Sequence, residues 1–128
     1  MIIKQLSIFL ENKPGTLNEA LKILKNAGIN ISALSVADTS EFGLLRLIVD
    51  DPDKAKKAMK ESGYTSSVND VLSVELKQEV GYLSGIIEKI SKAGVNIEYM
   101  YASSSSSSQA SIIIKTDDLE KTMGLIGE

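Results

Sequence analysis

The 128-residue sequence contains neither cysteine nor histidine. Without thiols there is no disulfide framework and no thiolate metal site. Without imidazole the commonest metal ligand and the usual general base near neutral pH are missing. Cysteine and histidine nucleophiles are excluded with them. No metal, cofactor or catalytic group is expected. Nor is one sign of charge in large excess: 14 basic side chains face 17 acidic ones, a formal net charge of -3. That balance gives no field for gathering a polyanion or an anionic bilayer, so nucleic acid and membrane are not expected partners. Long apolar runs are absent too. The opening MIIKQLSIFLENKPG is interrupted by Lys4, Gln5 and Ser7, and nothing later reaches membrane-spanning length, so the expected location is the cytoplasm.

Aromatic residues make up only 5% of the chain. Tyr99 and Tyr101 share a strand face, but no Lys or Arg stands beside them as an RNA-reading sheet would require. They are expected to line an interface or close a ligand cavity.

What the chain does have is a core's worth of apolar residues, 43%, and a repeat. Positions 5–34 align without a gap on positions 71–100. Leu6, Leu10, Gly15, Leu17, Gly28, Asn30 and Ile31 recur as Leu72, Leu76, Gly81, Leu83, Gly94, Asn96 and Ile97. An internal duplication follows, with a first copy over 1–69 and a second over 70–128.

In the first copy Leu6, Ile8 and Leu10 alternate with Gln5, Ser7 and Phe9, the period of a strand with one apolar face. A helix is expected from about 14 to 27, opened by Pro14, carrying Leu17, Ala20, Leu21, Leu24 and Ala27, and closed at Gly28. Strands follow at Ile29–Val36 and Leu44–Val49, separated by a turn over Asp38–Gly43. A short helix begins at Asp51-Pro-Asp, and a fourth strand runs over Tyr64–Val68 before Asn69-Asp70 turns into the next copy. The order strand, helix, strand, strand, helix, strand predicts an α+β fold with an antiparallel sheet and both helices on one face. The second copy repeats the order but reaches Glu128 without an obvious fourth strand. Either its sheet stops short, or another segment or chain covers the edge. Units this small are expected to associate, both copy with copy and chain with chain, as a homodimer or higher homo-oligomer.

The loop Glu11-Asn12-Lys13-Pro14-Gly15-Thr16 joins a strand end to a helix start. Helix N–H groups there lack partners, glycine lets a ligand approach the main chain, and the dipole favours a small anion such as a carboxylate. Asn30 heads the second strand, where its amide could meet another polar group. The second copy writes Gln78-Glu79-Val80-Gly81-Tyr82, keeping the glycine and losing the proline. The aspartates that crowd two helix starts, Asp50, Asp51 and Asp53, and Asp117 and Asp118, read as caps and favourable partners of the helix dipole. The serine run Ser103–Ser108 reads as a solvated connection, or a polar lid.

With ENKPGTL and GINI, echoed at VGYL and GVNI, the chain resembles the ACT domain family, and within it the small stand-alone proteins made of two ACT domains in tandem. The resemblance implies a ferredoxin-like βαββαβ unit, twice over, that binds a small effector, commonly an amino acid, at interfaces between units. It places effector contacts on Asn12 and Asn30, with Lys13, Pro14, Gly15, Thr16, Leu17 and Ile31 around them. In the second copy the matching positions are Gln78, Gly81, Tyr82, Leu83 and Asn96, and Val80 stands where the family has proline. The implied function is non-catalytic and regulatory. The alternative is a structural or protein-interaction module of the same fold without a ligand. An acylphosphatase-like enzyme would want an arginine in the first loop, whereas the sole arginine, Arg46, lies on the third strand.

Overall fold

The computed structural model describes residues 1–38, 42–103 and 110–126. The middle of the expected Asp38–Gly43 turn and the part of the serine run from Ser104 to Ser108 lie outside the described residues. The chain divides into two compact units, Lys4–Asn69, and Met1–Ile3 with Asp70–Glu128.

The first unit runs β1 (Ile2–Glu11), α1 (Thr16–Asn26), β2 (Ile31–Asp38), β3 (Phe42–Val49), α2 (Pro52–Glu61) and the start of β4 (Ser66–Glu75). Its strands lie in the order β2-β3-β1-β4. β1 pairs antiparallel with β3 (Leu6 opposite Leu47, Leu10 opposite Gly43), and β2 pairs antiparallel with β3 (Leu34 opposite Leu47). Alternate residues of the strands, Leu6, Ile8, Leu10, Leu45, Leu47 and Val49, bury against Ala20 and Leu24 of α1 and Ala55 and Met59 of α2. Period-2 strands therefore meet period-3.6 helices across one face of the sheet, the layering that the hydrophobic pattern demands.

The second unit contains the rest of β4, then α3 (Tyr82–Lys92), β5 (Ile97–Ser103), β6 (Ser111–Thr116) and α4 (Leu119–Leu125). β6 pairs antiparallel with both β4 and β5. Leu72, Val74, Ile112 and Ile114 of the sheet pack with Ile86 and Ile90 of α3 and with Val95, the same plan as the first unit. The flank of β4 away from β6 is met by the first residues of β1: the Ser73 N–H donates to the Met1 carbonyl at 2.9 Å, and the Met1 ammonium donates to the Ser73 carbonyl at 3.2 Å.

Two expectations are corrected, the turn at Asn69-Asp70 and the start of the first helix. Asn69-Asp70 is not a turn. β4 continues through it, because β1 lies alongside and the Asn69 side chain accepts from the hydroxyls of Ser7 (3.5 Å) and Ser67 (3.3 Å) instead of bonding its own backbone. Gln5 and Ser7, the polar alternates of β1, are buried as well. They satisfy one another, with Gln5 Nε2 donating to Ser7 Oγ at 3.2 Å. Finally, α1 begins at Thr16, so Pro14 lies in the preceding turn and not in the helix.

Candidate ligand site

The β1–α1 connection is tied down by its own polar groups. The Lys13 N–H donates to the Glu11 carbonyl at 2.9 Å, and the Thr16 hydroxyl lies 2.8 Å from that carbonyl and 3.0 Å from the carbonyl of Lys13. Lys13 Nζ pairs with the Glu11 carboxylate at 3.1 Å. Gly15 is the N-cap of α1 at φ 91°, a left-handed conformation that a side chain would resist. Gly81 holds the same place before α3 at φ 80°.

These two helix starts differ from the others. Asp51 caps α2 by accepting from the Lys54 N–H at 3.1 Å, and Asp118 caps α4 by accepting from the Lys121 N–H at 3.1 Å. No side chain caps α1 or α3. The first N–H of each, from Thr16 and Tyr82, donates instead to a loop carbonyl, that of Lys13 at 3.4 Å and that of Glu79 at 3.2 Å, and the dipole at a first turn that no side chain caps would favour a carboxylate.

Beside each of these starts is a cavity. In the first unit it holds about 430 Å³ and is lined by Phe9, Leu10, Glu11, Lys13, Thr16, Glu19 and the turn Ser62-Gly63-Tyr64-Thr65. In the second unit a cavity of about 310 Å³ is lined by Val74, Glu79, Val80, Gly81, Tyr82, Gly85, Ile86, Lys89 and Ile126. The polarity of the two differs at matched positions. Lys13 and Glu19 of the first correspond to Glu79 and Gly85 of the second. In the first cavity, burial, then the hydrogen bond to Glu19, then the negative charges of Glu19 and Glu11 push the Tyr64 phenol above its ordinary value of 10.0.

Of the residues singled out in the sequence, the first cavity gathers Lys13 and Thr16, while Asn12, Pro14, Gly15 and Leu17 sit on the exposed loop and helix start beside it. The second gathers Gly81 and Tyr82, with Gln78 and Leu83 exposed next to them. Asn30 and Ile31 are elsewhere. β1 and β2 run parallel to each other, both antiparallel to β3, so the end of β1 is level with Gly43 and the head of β2 with Val49. At about 3.3 Å per residue those rows are roughly 20 Å apart. Within one unit Asn12 and Asn30 are not brought together. Asn96 is separated from Gln78 in the same way, since β5 begins opposite Thr116 while β4 ends opposite Ser111.

The backbones of Asn30 and Asn96 are clamped at those far ends. The Asn30 N–H donates to Asp50 Oδ1 at 3.0 Å, and the Asp50 N–H returns to the Asn30 carbonyl at 3.1 Å. Asn96 and Asp117 repeat both bonds at 3.1 Å. Asp50 and Asp117 thus serve strand heads, while only their neighbours Asp51 and Asp118 cap helices. Among the described residues no three acidic side chains converge on a position that could hold a metal ion. Periodicity gave no sign of Glu19, Ser62, Tyr64 or Thr65 as lining residues. They reach the cavity because β4 returns beside β1, where the Phe9 N–H donates to the Thr65 carbonyl at 3.0 Å.

The family model for the ACT domain pair matches residues 1–128. The chain belongs to the ACT domain pair family. Protein BT0572 from Bacteroides thetaiotaomicron has a similar structure, with 39% identity, a TM-score of 0.90, and alignment over 99% of this chain and 88% of that one. The ACT fold is shared with the regulatory subunit of aspartate kinase from Thermus thermophilus, at 16% identity and TM-score 0.65 over 99% and 95% of the two chains. The corresponding subunit from Thermus flavus gives 16% identity and 0.63 over 99% and 94%. A comparison with curated proteins found no match. Among the described residues no helix of this ACT pair is long and apolar enough to cross a membrane.

Proposed function

We propose that this ACT pair is a non-catalytic regulatory protein of the cytoplasm that binds an amino acid effector where the ACT units of two chains meet. The observation that carries this reading is the division of the site within one unit. The β1–α1 loop, with its cavity and a helix start that no side chain caps, is at one end of the sheet, and Asn30 is at the other. A molecule of amino-acid size cannot span roughly 20 Å. It can touch both groups only if one chain supplies the loop and a second chain supplies the strand head. The effector carboxylate would then meet the loop N–H groups, and the asparagine amide would take its ammonium. Binding across a chain interface would favour one assembly over another, and that differential affinity is what carries a signal.

Support for a non-catalytic role comes from the aspartates, which are engaged in caps and strand-head clamps. Support for association comes from β2, an edge strand of its unit whose Leu34 and Val36 are about half exposed, 48% and 50%. The same exposed edge favours a second reading, a protein-interaction module without ligand.

A thermal-shift screen against the twenty amino acids separates the two, since a ligand that binds only the folded state raises the melting temperature. A selective rise that Asn12→Ala and Asn30→Ala each remove is the expected result. Mixing the two variants should then restore binding to about a quarter of sites, because half the dimers formed are mixed and each carries one intact composite site. A rise that survives both substitutions would defeat the composite site, and no rise with any amino acid would favour the module.

A further inference from the structure

We propose that the first unit's cavity selects an effector carrying a second positive charge, an amino acid with an ammonium or guanidinium side chain, and that Glu19 is the residue that selects it. The inference rests on the reading of the first unit as an effector site and names the ligand class.

Thr16 and Glu19 are three residues apart on α1, one turn on the same face, and both line the cavity. A ligand whose carboxylate sits at the uncapped helix start therefore has Glu19 within reach of its side chain. The cavity's charges are two carboxylates, Glu11 and Glu19, against one ammonium, Lys13. Lys13 is already paired with Glu11 at 3.1 Å, so the unbalanced negative charge is that of Glu19. Thr16, Ser62, Tyr64 and Thr65 also line the cavity, and hydroxyl oxygens of this kind can accept from the remaining protons of an ammonium or guanidinium. The Tyr64 hydroxyl is hydrogen-bonded to Glu19, which holds that carboxylate on the cavity side of α1. At about 430 Å³ the cavity falls within the usual span for small-molecule sites, with space for a long side chain.

The duplicated unit provides the contrast. Its matched cavity has Gly85 in place of Glu19, brings in Lys89, and is smaller at about 310 Å³. A cationic side chain would meet no acceptor there at the position of Glu19, and the cavity's one carboxylate, Glu79, is offset by Lys89. The proposal thus confines selection for a cation to the first unit.

The test is isothermal calorimetry on the full chain with L-lysine, L-arginine, L-norleucine, L-glutamine and L-glutamate, repeated on Glu19→Gln. The amide keeps the shape and still accepts from Tyr64, so the fold is preserved while the charge is removed. The expected result is that lysine or arginine binds, that norleucine, which lacks only the terminal ammonium of lysine, binds about ten- to a hundredfold more weakly, and that Glu19→Gln removes this difference. A neutral or acidic amino acid that binds as tightly as the cationic ones would overturn the inference and leave the effector reading intact. So would an unchanged cationic preference in Glu19→Gln. Binding of none of these five, together with a flat thermal-shift response to all twenty amino acids, would overturn both.

Discussion

The two units share a plan and diverge in their chemistry. Both start their first helix from a left-handed glycine with no capping side chain, both cap their second helix with an aspartate, and both clamp a strand-head asparagine to the aspartate preceding that cap. Those features hold backbone groups in place and would be needed by any copy that folds. The side chains around the cavities have drifted. Glu11, Lys13 and Glu19 correspond to Lys77, Glu79 and Gly85, so the charges at the loop are exchanged and one is lost. Lys77 now stands 5.9 Å from the centre of the Tyr82 ring, a cation–π contact without counterpart at Thr16. The lesson is that duplication preserved what the fold requires and released what a ligand would require.

The strongest test of the shared plan is in the cores. Leu6→Ala and Leu72→Ala delete matched, fully buried side chains, and each should cost roughly 2–5 kcal/mol. Denaturant unfolding followed by hydrogen exchange should show amide protection falling first in the unit that carries the substitution. Equal loss in both units would mean that they fold as one.

Gly15→Val and Gly81→Val come next. A Cβ at either position would meet nothing within 4 Å, so the cost is backbone strain alone, roughly 1–3 kcal/mol in each. Stability by circular dichroism should fall alike in the two variants, while effector binding should fail in Gly15→Val and persist in Gly81→Val. Full binding by a folded Gly15→Val would remove the loop from the site.

Smaller effects are expected at the strand heads. Asp50→Ala and Asp117→Ala each leave an asparagine N–H without its acceptor, at a cost of about 1 kcal/mol because the site is exposed. A matched pair of melting-temperature shifts would show that the clamp is the same device in both units.

The least effect belongs to Tyr64. Its folded-state pKa is raised, so the stabilisation linked to its neutral form is complete below about pH 10 and is lost as pH rises through the folded value above that. Above pH 10 the protein should lose stability more steeply than Tyr64→Phe. Parallel curves would show that the phenol is not held by Glu19.

Much of this comparison was legible before any coordinates, because it follows local rules. The helix periods, the glycine corners at 15 and 81, and the caps at Asp51 and Asp118 are decided within a few residues of themselves, though the left-handed conformation of those two glycines is seen only in the fold. Register is not. The distance between Asn12 and Asn30 depends on how β1 and β2 align through β3, and no spacing along the chain reveals it. Glu19 resembles an ordinary acidic residue in a helix's first turn until β4 brings Tyr64 beside it. Asn69-Asp70 carries a turn signal that neighbouring strands override. The buried polar pair Gln5 and Ser7 follows the strand alternation faithfully, yet burial depends on what covers that row.

The contact between Met1 and Ser73, 72 positions apart, affects the timing of folding. Residues 1–3 leave the ribosome before almost all of the unit they complete, and the other residues that start the chain belong to the first unit. The first unit can close as soon as Asn69 has emerged. The second joins residues 1–3 to a stretch that begins at Asp70, so it can close only after the whole first unit has been made. A fusion placed ahead of Met1 would be expected to disturb the unit that is made last.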